Sequence, residues 1–289
     1  MKRAQLAGLL EEQDDIVSVG RKLLRESFFE EYPLFLSGAG SEKTVSAIEV
    51  SDVRAQYERL IVGGNVVLAV SGDFCREELL PKIEQAFGEI AEGRVKKPSF
   101  TFREKSKGID LQKKMDRQQV IVYQAFPGPG VLSEDFYVSE VADELFSGMS
   151  SNLFERVREE RGLAYFVRSS RVIGLDAGMF YFYAGTNPDG YPGVLEELDR
   201  EIMRVCEGNV TREELIRCQV RLKAGKRMGM QTNSSCASQA ALNAAYGLPV
   251  NDWREYDKHI DQVTIADLKQ FALKRLCSEK RVQVLIGAL

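Results

Sequence analysis

The sequence predicts an α+β fold, in which most strands and most helices lie in separate regions of the chain. Three strands are predicted between residues 119 and 184, two of them in an antiparallel hairpin, and the region from Tyr191 to Cys277 is mostly helical. A helix–strand–glycine unit also occurs twice along the chain. The class follows from this order of strands, then helices, then one last strand.

Composition supports a folded protein and excludes several classes of function. Of 289 residues, 44% are hydrophobic and 9% aromatic, which is enough for a core. The 39 basic and 43 acidic side chains give a net charge of −4 without long single-sign runs, so we expect no nucleic-acid partner. No apolar run approaches the roughly 20 residues that a membrane helix needs, so we expect no membrane partner either.

The five cysteines are widely spaced and never occur as C-x-x-C, which argues against a zinc knot or a disulfide scaffold. They are Cys75, Cys206, Cys218, Cys236 and Cys277. Free thiols in a reducing compartment are the expected state. The sequence therefore predicts a cytoplasmic location, and a periplasmic one if a signal precedes these residues.

The N-terminal region is predicted to contain helices and one strand. Two adjacent aspartates divide the apolar pattern of residues 2–29 into two helices. A helix at 51–60 leads into a buried strand, Val66–Val70, and a further helix ends near Gly88. The charged, proline-containing stretch that follows has no sustained period and is interpreted as a linker. The predicted division is 1–92 as a partial unit, 93–109 as the linker and 110–289 as a complete domain.

The C-terminal region is predicted to begin with strands. The apolar patterns and capping residues predict strand 119–126, helix 133–146, a helix from Asn152, a hairpin of strands 163–173 and 179–184, helices from Tyr191, Thr211, Ser234, Asp252 and Thr264, and a final strand 282–286. Thr211 and Glu214 form an S/T-x-x-E capping box.

The segment from Asn152 to Val167, N-L-F-E-R-V-R-E-E-R-G-L-A-Y-F-V, joins a predicted helix to a strand through Gly162. We call it the clamp segment. It places Arg158 seven residues before Tyr165, next to apolar positions. The sequence therefore predicts two polar side chains close to a hydrophobic core.

The helix–strand–glycine unit at Ser51–Gly72 is similar to that at Ala266–Gly287, without a gap. Asp52 corresponds to Asp267, and Gly72 to Gly287. The second copy follows several strands, whereas the first follows only helices and loops. A lone strand has unpaired edges, so we infer that the first copy is part of a domain whose other strands lie elsewhere.

Two segments carry a family resemblance, L-F-E-R-V-R-E-E-R-G-L-A-Y at Leu153–Tyr165 and V-T-I-A-D-L at Val263–Leu268. Together with the repeat, they resemble the pitrilysin or insulysin-like zinc metallopeptidases of the mitochondrial-processing-peptidase type. The resemblance implies two related halves, each a two-layer unit of an antiparallel sheet with helices packed on one face. Residues 51–87 resemble the end of the first half, and residues from about Ile109 onward resemble the second.

In this family the first half carries an H-x-x-E-H zinc motif, whose histidines hold the metal and whose glutamate activates water. The present sequence has one histidine, His259, and no such motif. We therefore expect no catalytic residue, no metal ligand and no cofactor in this chain, with zinc held by a preceding or partner half. The resemblance assigns Arg158 and Tyr165 as substrate-binding residues that reach toward the peptide.

Each of these assignments has a simpler alternative. Without the resemblance, Arg158 is more readily a solvated helix residue among other charged side chains, and Tyr165 a core tyrosine on the same strand face as Leu163 and Val167. His259 lacks a second ligand at metal spacing and is interpreted as a solvated helix residue. Cys236 lacks a neighbouring base, so we do not expect a thiol nucleophile.

The leading hypothesis is the substrate-binding, non-zinc portion of a peptide-cleaving zinc metallopeptidase, inactive alone. Its expected partners are a peptide substrate and a zinc-bearing N-terminal half or homologous subunit. The first alternative is a non-catalytic partner or scaffold subunit of a two-subunit peptidase. The second is an unrelated peptide-binding module, in which replacement of Arg158 by alanine would leave affinity unchanged.

Overall fold

The protein is organised around one five-stranded sheet, in a computed structural model that describes residues 1–96, 100–148, 151–277 and 279–289. The chain divides into two units. Unit 1 contains the sheet and comprises Met1–Glu42, Phe100–Lys223 and Asp257–Leu289, and unit 2 comprises Lys43–Ser99 and Ala224–Tyr256. The predicted division into 1–92, 93–109 and 110–289 stays a prediction, and residues 97–99 of the predicted linker lie outside the described residues.

The sheet is mixed. Its strands are β1 (Ile109–Lys114), β2 (Val120–Gly128), β3 (Ala164–Ile173), β4 (Gly178–Thr186) and β5 (Val282–Gly287). Their order is β1-β5-β2-β4-β3, and every neighbouring pair is antiparallel except β1 with β5, which is parallel.

The helices occupy most of the remaining chain. They are α1 (Lys2–Asp14), α2 (Ile16–Phe29), α3 (Glu42–Ala47), α4 (Val50–Leu60), α5 (Arg76–Phe87), α6 (Phe136–Ser147), α7 (Asn152–Phe154), α8 (Tyr191–Glu207), α9 (Arg212–Gly229), α10 (Asn233–Tyr246), α11 (Tyr256–Gln262) and α12 (Ile265–Phe271). Helix α7 continues as a π-helix, Glu155–Glu160, and α12 continues as a π-helix, Ala272–Leu276.

The predicted α+β class is confirmed, and local sequence patterns correctly predict most of the helices and strands. Asp15 separates α1 from α2 because its carboxylate accepts hydrogen bonds from the backbone of Val17 and Ser18. The predicted hairpin is β3 with β4, and the predicted capping box forms at Thr211. Thr264 caps α12 as predicted, and Asp267 completes a capping box there. Strand β1 was not predicted, because its sequence I-D-L-Q-K-K has only two apolar residues.

The prediction of a buried strand at Val66–Val70 is wrong. These residues form no strand and most of them are exposed, because no other strand among the described residues lies beside them to complete the backbone hydrogen bonds. The second copy of the repeat does contain its strand, β5, which is buried between β1 and β2. Both copies retain the helix and a glycine with positive φ, +155° at Gly72 and +132° at Gly287.

The expectation of five free thiols is also wrong for one pair. Cys206, at the end of α8, and Cys277, after the second π-helix, form a disulfide across 71 residues of sequence. Sequence spacing did not reveal this pair because only the fold brings the two helix ends together. Cys75, Cys218 and Cys236 are free cysteines.

One face of the sheet packs against α2. Leu24 and Phe28 of this helix lie in a cluster with Ile121, Tyr123 and other inward-facing residues of β2, β4 and β5. The Tyr123 hydroxyl donates to the Val17 carbonyl oxygen at 2.6 Å. A Cβ on Gly20 would lie 2.5 Å from the Tyr123 ring, so glycine sets how closely α2 approaches the sheet.

The other face packs against α6 and α12, with α8 running across it. Phe180 and Phe182 of β4 meet Phe146 of α6, and Phe180 also meets Phe271 of α12. Helices therefore cover both faces of the sheet. The layer of α6, α8 and α12 is the one that the resemblance implied, and α2 covers the opposite face. This second face carries the clamp segment on its β3 side and the end of α8 on its β1 side.

Gly20→Ala should destabilise the protein, because the added methyl group collides with the buried Tyr123 ring and with Ile286 at 2.9 Å. We expect a loss of about 1–3 kcal/mol in the free energy of unfolding, measured by urea denaturation with circular dichroism. The matched control is Gly8→Ala in α1, where a Cβ meets no described atom within 4 Å. Its higher helix propensity should stabilise by up to about 1 kcal/mol. Equal shifts in the two variants would contradict the close α2–sheet contact.

Candidate functional site

Local hydrogen bonds fix the backbone conformation of the clamp segment. The Ser151 hydroxyl accepts from the Phe154 N–H at 3.1 Å and so caps α7. The chain leaves the π-helix through Gly162, at φ +58°, a left-handed conformation that favours glycine. The Leu163 N–H then donates to the Val157 carbonyl oxygen at 2.8 Å, which ties the start of β3 to the π-helix.

A buried carboxylate on α8 holds the π-helix in place. The Glu197 side chain is 1% exposed and lies 2.6 Å from Arg161, 2.6 Å from Arg200 and 3.5 Å from Arg156. We call these four residues the Glu197 cluster. Because a desolvated carboxylate requires charged partners, Arg156 of the π-helix and Arg161, the residue directly after it, are fixed relative to α8.

A second network holds the other end of the clamp segment. Asn152 donates to Glu214 at 3.1 Å, and Arg204 bridges Glu214 and Glu201 at 2.9 and 2.8 Å. Burial acts to raise the pKa of Glu214, but hydrogen bonds from Thr211 and the charge of Arg204 outweigh it, so the pKa lies below its ordinary value. For Glu201, burial prevails over Arg204 and raises the pKa. Glu214 is therefore the charged acceptor that ties α7 to the start of α9.

Arg158 extends from the π-helix into solvent. Its side chain is 50% exposed, its guanidinium lies 5.1 Å from the centroid of the Phe154 ring, and Glu159 is 3.9 Å away. The Phe154 ring supports the aliphatic and cationic parts of the side chain from one side. The guanidinium therefore keeps donors directed outward on a backbone that the Glu197 cluster fixes.

Tyr165 is exposed because β3 bulges at this residue. Ala164 pairs with Thr186 and Phe166 pairs with Gly185, so Tyr165 is the extra residue between two pairs. Its side chain is 53% exposed, and its hydroxyl donates to Asn187 Oδ1 at 2.7 Å. The alternative of a core tyrosine is therefore wrong, as is the alternation that grouped Tyr165 with the buried Val167.

The sequence did not predict Glu197 or Asn187 as part of this region. A signal for Glu197 was present, because it lies on the apolar face of α8 between Val194 and Leu198, where an unpaired carboxylate is costly. Asn187 had no such signal. Its role depends on the bulge, which a period-two reading of β3 does not show.

The described residues do not fit a zinc site. Within residues 1–96, 100–148, 151–277 and 279–289, no three His, Cys, Asp or Glu side chains converge as metal ligands. His259 stacks on the Tyr137 ring with 4.4 Å between centroids.

Burial raises the pKa of the Cys218 thiol to about 12, which makes it a poor nucleophile at neutral pH. Across the residues that the structure describes, no helix combines the length and apolarity needed to cross a bilayer.

The sequence model of the family described as "Peptidase M16 inactive domain" matches residues 47–222, more than half of the chain. The chain belongs to this family. The resemblance to pitrilysin-like zinc metallopeptidases is thereby confirmed at the level of the family.

Two relatives are similar to this chain in sequence, and one solved structure is similar to it in fold. An "uncharacterized zinc protease" of Rickettsia felis is 29% identical over 224 residues, which are 76% of this chain and 53% of that protein. A "non-peptidase homolog" of Helicobacter pylori is 24% identical over 283 residues, 94% of this chain and 63% of that protein. The crystal structure of a peptidase M16 inactive domain from Pseudomonas fluorescens, 20% identical, superposes with a TM-score of 0.89 over 100% of this chain and 69% of its own.

These coverages show that the chain spans between about half and two thirds of the length of the relatives it matches. The structural match shows the same fold. The names of the relatives include both a protease and a non-peptidase, so membership in the M16 family leaves the activity to be argued from the site.

Glu197→Gln should loosen the clamp segment, because three guanidiniums then surround a neutral side chain. We expect a loss of about 2 kcal/mol in the free energy of unfolding, a value that already allows for the partial exposure of the arginines. We also expect faster amide hydrogen exchange in residues 155–163. The matched control is Glu196→Gln, one residue away and exposed, which should change neither quantity. Unchanged exchange in the Glu197 variant would show that the cluster does not position the π-helix.

Proposed function

We propose that this M16 chain is the substrate-binding, non-zinc portion of a zinc metallopeptidase, and that Arg158 and Tyr165 contact the peptide. The observation that carries the proposal is that both side chains are about half exposed on a backbone fixed from both ends. A fixed backbone with exposed donors is typical of binding sites, since donors already in position lose little freedom on binding.

The chemistry of the two side chains suits a peptide bond under hydrolysis. A guanidinium offers several N–H donors in a fixed plane and can hold peptide carbonyl oxygens. A phenol hydroxyl can donate to the oxygen on which negative charge develops when water attacks the carbonyl carbon. In the absence of substrate the Tyr165 hydroxyl donates its one hydrogen to Asn187 Oδ1 at 2.7 Å, and this hydrogen bond is exchanged for one to the peptide oxygen when substrate binds.

We propose further that a zinc-bearing half completes unit 2. Residues of α4, α5 and the extended stretch between them expose apolar side chains, from 36% for Val66 to 78% for Val50. In the second copy of the repeat, the equivalent strand β5 is buried between two strands. Homologous strands from the zinc-bearing half would cover residues 66–70 in the same way.

The second candidate is a scaffold subunit that pairs with a peptidase but does not act on peptide. The description of the Helicobacter pylori relative as a non-peptidase homolog favours this candidate. In that case the exposed apolar residues of unit 2 still find a homologous partner, but Arg158 and Tyr165 serve no substrate. The two candidates differ in whether these side chains affect turnover.

The first test measures zinc and peptidase activity of the chain alone and after co-expression with a homologous polypeptide that carries H-x-x-E-H. We expect no stoichiometric zinc and no cleavage of a fluorescent, unstructured 20-residue peptide by the chain alone, and zinc-dependent cleavage by the pair. Cleavage by this chain alone would contradict the proposal. A stable pair in which the zinc-bearing polypeptide cleaves equally well without this chain would favour the scaffold.

The second test uses variants of the active pair. Arg158→Ala and Tyr165→Phe should each lower kcat/KM about a hundredfold, because each removes a donor to the reacting peptide. The controls are Arg168→Ala, an exposed arginine of β3, and Tyr246→Phe, an exposed tyrosine of α10, which should change kcat/KM less than twofold. Equal effects in the variants and their controls would remove both residues from the proposed site.

A further inference from the structure

The disulfide of Cys206 with Cys277 lies beside a cavity in unit 1. It joins the last turn of α8 to the residue that directly follows the π-helix Ala272–Leu276. The cavity has a volume of about 450 Å³, and Cys277 lines it together with residues of β1, β2 and α8. This volume lies in the range of sites that bind small molecules.

The two sulfur atoms of the disulfide differ in access. Cys206 is 4% exposed and is not among the described residues that line the cavity, whereas Cys277 is exposed and does line it. Met203, in the wall of the cavity, is 50% exposed, so the cavity is open to solvent on that side. Thiol–disulfide exchange begins when a thiolate attacks one sulfur, and its rate depends on access to that sulfur. An incoming thiol therefore reaches Sγ of Cys277 first.

The disulfide also holds the end of α8, which anchors the clamp segment. Arg204, two residues before Cys206, bridges to Glu214, and Glu214 accepts a hydrogen bond from Asn152. The other described side-chain contact at this helix end is exposed, a hydrogen bond of 3.2 Å from Lys269 Nζ to the carbonyl oxygen of the last residue. Because exposed polar contacts contribute little and the disulfide closes a span of 71 residues, the covalent link is the stronger tie.

The walls of the cavity indicate what kind of thiol enters it. Phe126 and Leu276 supply apolar surface for a carbon skeleton. The ionisable groups in the lining are three carboxylates and one guanidinium, those of Asp110, Asp199, Glu279 and Arg281. Their net negative charge disfavours a thiol that carries a carboxylate of its own.

We propose that the Cys206–Cys277 disulfide is a reversible link that a small neutral or cationic thiol opens at Cys277, and that opening frees the last turn of α8. The thiolate sulfur of the small molecule bonds to Sγ of Cys277. The disulfide bond breaks, and its electron pair goes to Sγ of Cys206, which takes a proton from water. This step leaves a mixed disulfide on Cys277.

A second molecule of the thiol completes the reduction. It attacks the mixed disulfide, Cys277 leaves as a thiolate that takes up a proton, and the two small molecules depart joined as their own disulfide. The reverse sequence, with that small disulfide as the oxidant, closes the link again. None of these steps uses Arg158 or Tyr165, so the link operates whether or not the chain takes part in proteolysis.

The first test follows the link itself in the full chain with cysteamine, a small cationic thiol. Mass spectrometry of proteolytic fragments, prepared without reductant, detects fragments joined through residues 206 and 277. We expect joined fragments in protein purified in air, their loss in millimolar cysteamine, and their return when cysteamine is replaced by its disulfide, cystamine. Five free thiols in the purified protein, or a link that cysteamine leaves intact, would overturn the proposal.

The second test compares access to the two sulfur atoms. Cys206→Ser leaves the Cys277 thiol alone, and Cys277→Ser leaves the Cys206 thiol alone, each in a chain that also carries Cys75→Ser and Cys236→Ser. We expect the neutral reagent 2,2′-dipyridyl disulfide to react at least about tenfold faster with the thiol of Cys277. Both variants lack the link, so the ratio of rates reports access. Equal rates, or faster reaction at Cys206, would overturn the proposal.

The third test measures the release of α8 by amide hydrogen exchange before and after cysteamine treatment. We expect faster exchange in residues 202–207 and in residues 152–154, which Arg204 and Glu214 connect to them, and no change in residues 191–196 at the start of α8. Cys206→Ser should show the faster exchange without cysteamine, whereas Cys75→Ser, which removes an exposed free thiol, should respond as the unaltered chain does. Exchange at the end of α8 that ignores cysteamine would overturn the proposal. These readouts are independent of any effect of Arg158 or Tyr165 on turnover.

Discussion

The buried carboxylate of Glu197 is the constraint on which the clamp segment depends. A carboxylate that is 1% exposed is stable only with charged partners, and two of the three arginines that supply them are Arg156 in the π-helix and Arg161 directly after it. This contact fixes the helix to α8 at two points. The exposed Arg158 lies between these points, so its position is determined by the ion pairs on either side of it.

The sheet gives the same segment a fixed strand on its other side. Thr186, fully buried at the end of β4, donates through its hydroxyl to the Leu163 carbonyl oxygen and so holds the chain just before the β3 bulge. The bulge then turns Tyr165 outward next to Asn187. Two exposed donors on the clamp segment therefore result from buried groups. The second face of the same sheet also carries two buried glutamines, Gln124 and Gln283. The amide oxygen of each has no hydrogen-bond partner among the described residues, a loss that hydrophobic side chains would avoid.

Local patterns in the sequence were sufficient for most helices and for four of the five strands. Asp15, Thr211, Gly162 and Thr264 mark helix boundaries through their own side chains or backbone conformations, so one sequence reveals them. The charged strand β1 was missed because its stability comes from pairing with β5, 173 residues away in register at its first pair. Residues 66–70 are the opposite case, since their apolar sequence predicts a strand but no strand of the described part of the chain lies beside them.

The candidate site was predictable only where local sequence patterns mark it. Arg158 and Tyr165 were found from the motif that contains them, whereas Glu197 and Asn187 act through contacts 36 and 22 residues apart in sequence. The disulfide of Cys206 with Cys277 also exists only after the fold brings distant residues together. One sequence shows which side chains are unusual, and the fold shows which of them meet.

If the proposed function is correct, a bound peptide lies against the clamp segment. The most direct measurement replaces Tyr165 with the photoreactive residue p-benzoyl-phenylalanine in the chain paired with a zinc-bearing half whose catalytic glutamate is inactivated, and irradiates it with a labelled peptide. We expect cross-linking from position 165 and none from the same residue placed at 246. Cross-linking that is absent at 165, or equal at both positions, would contradict it.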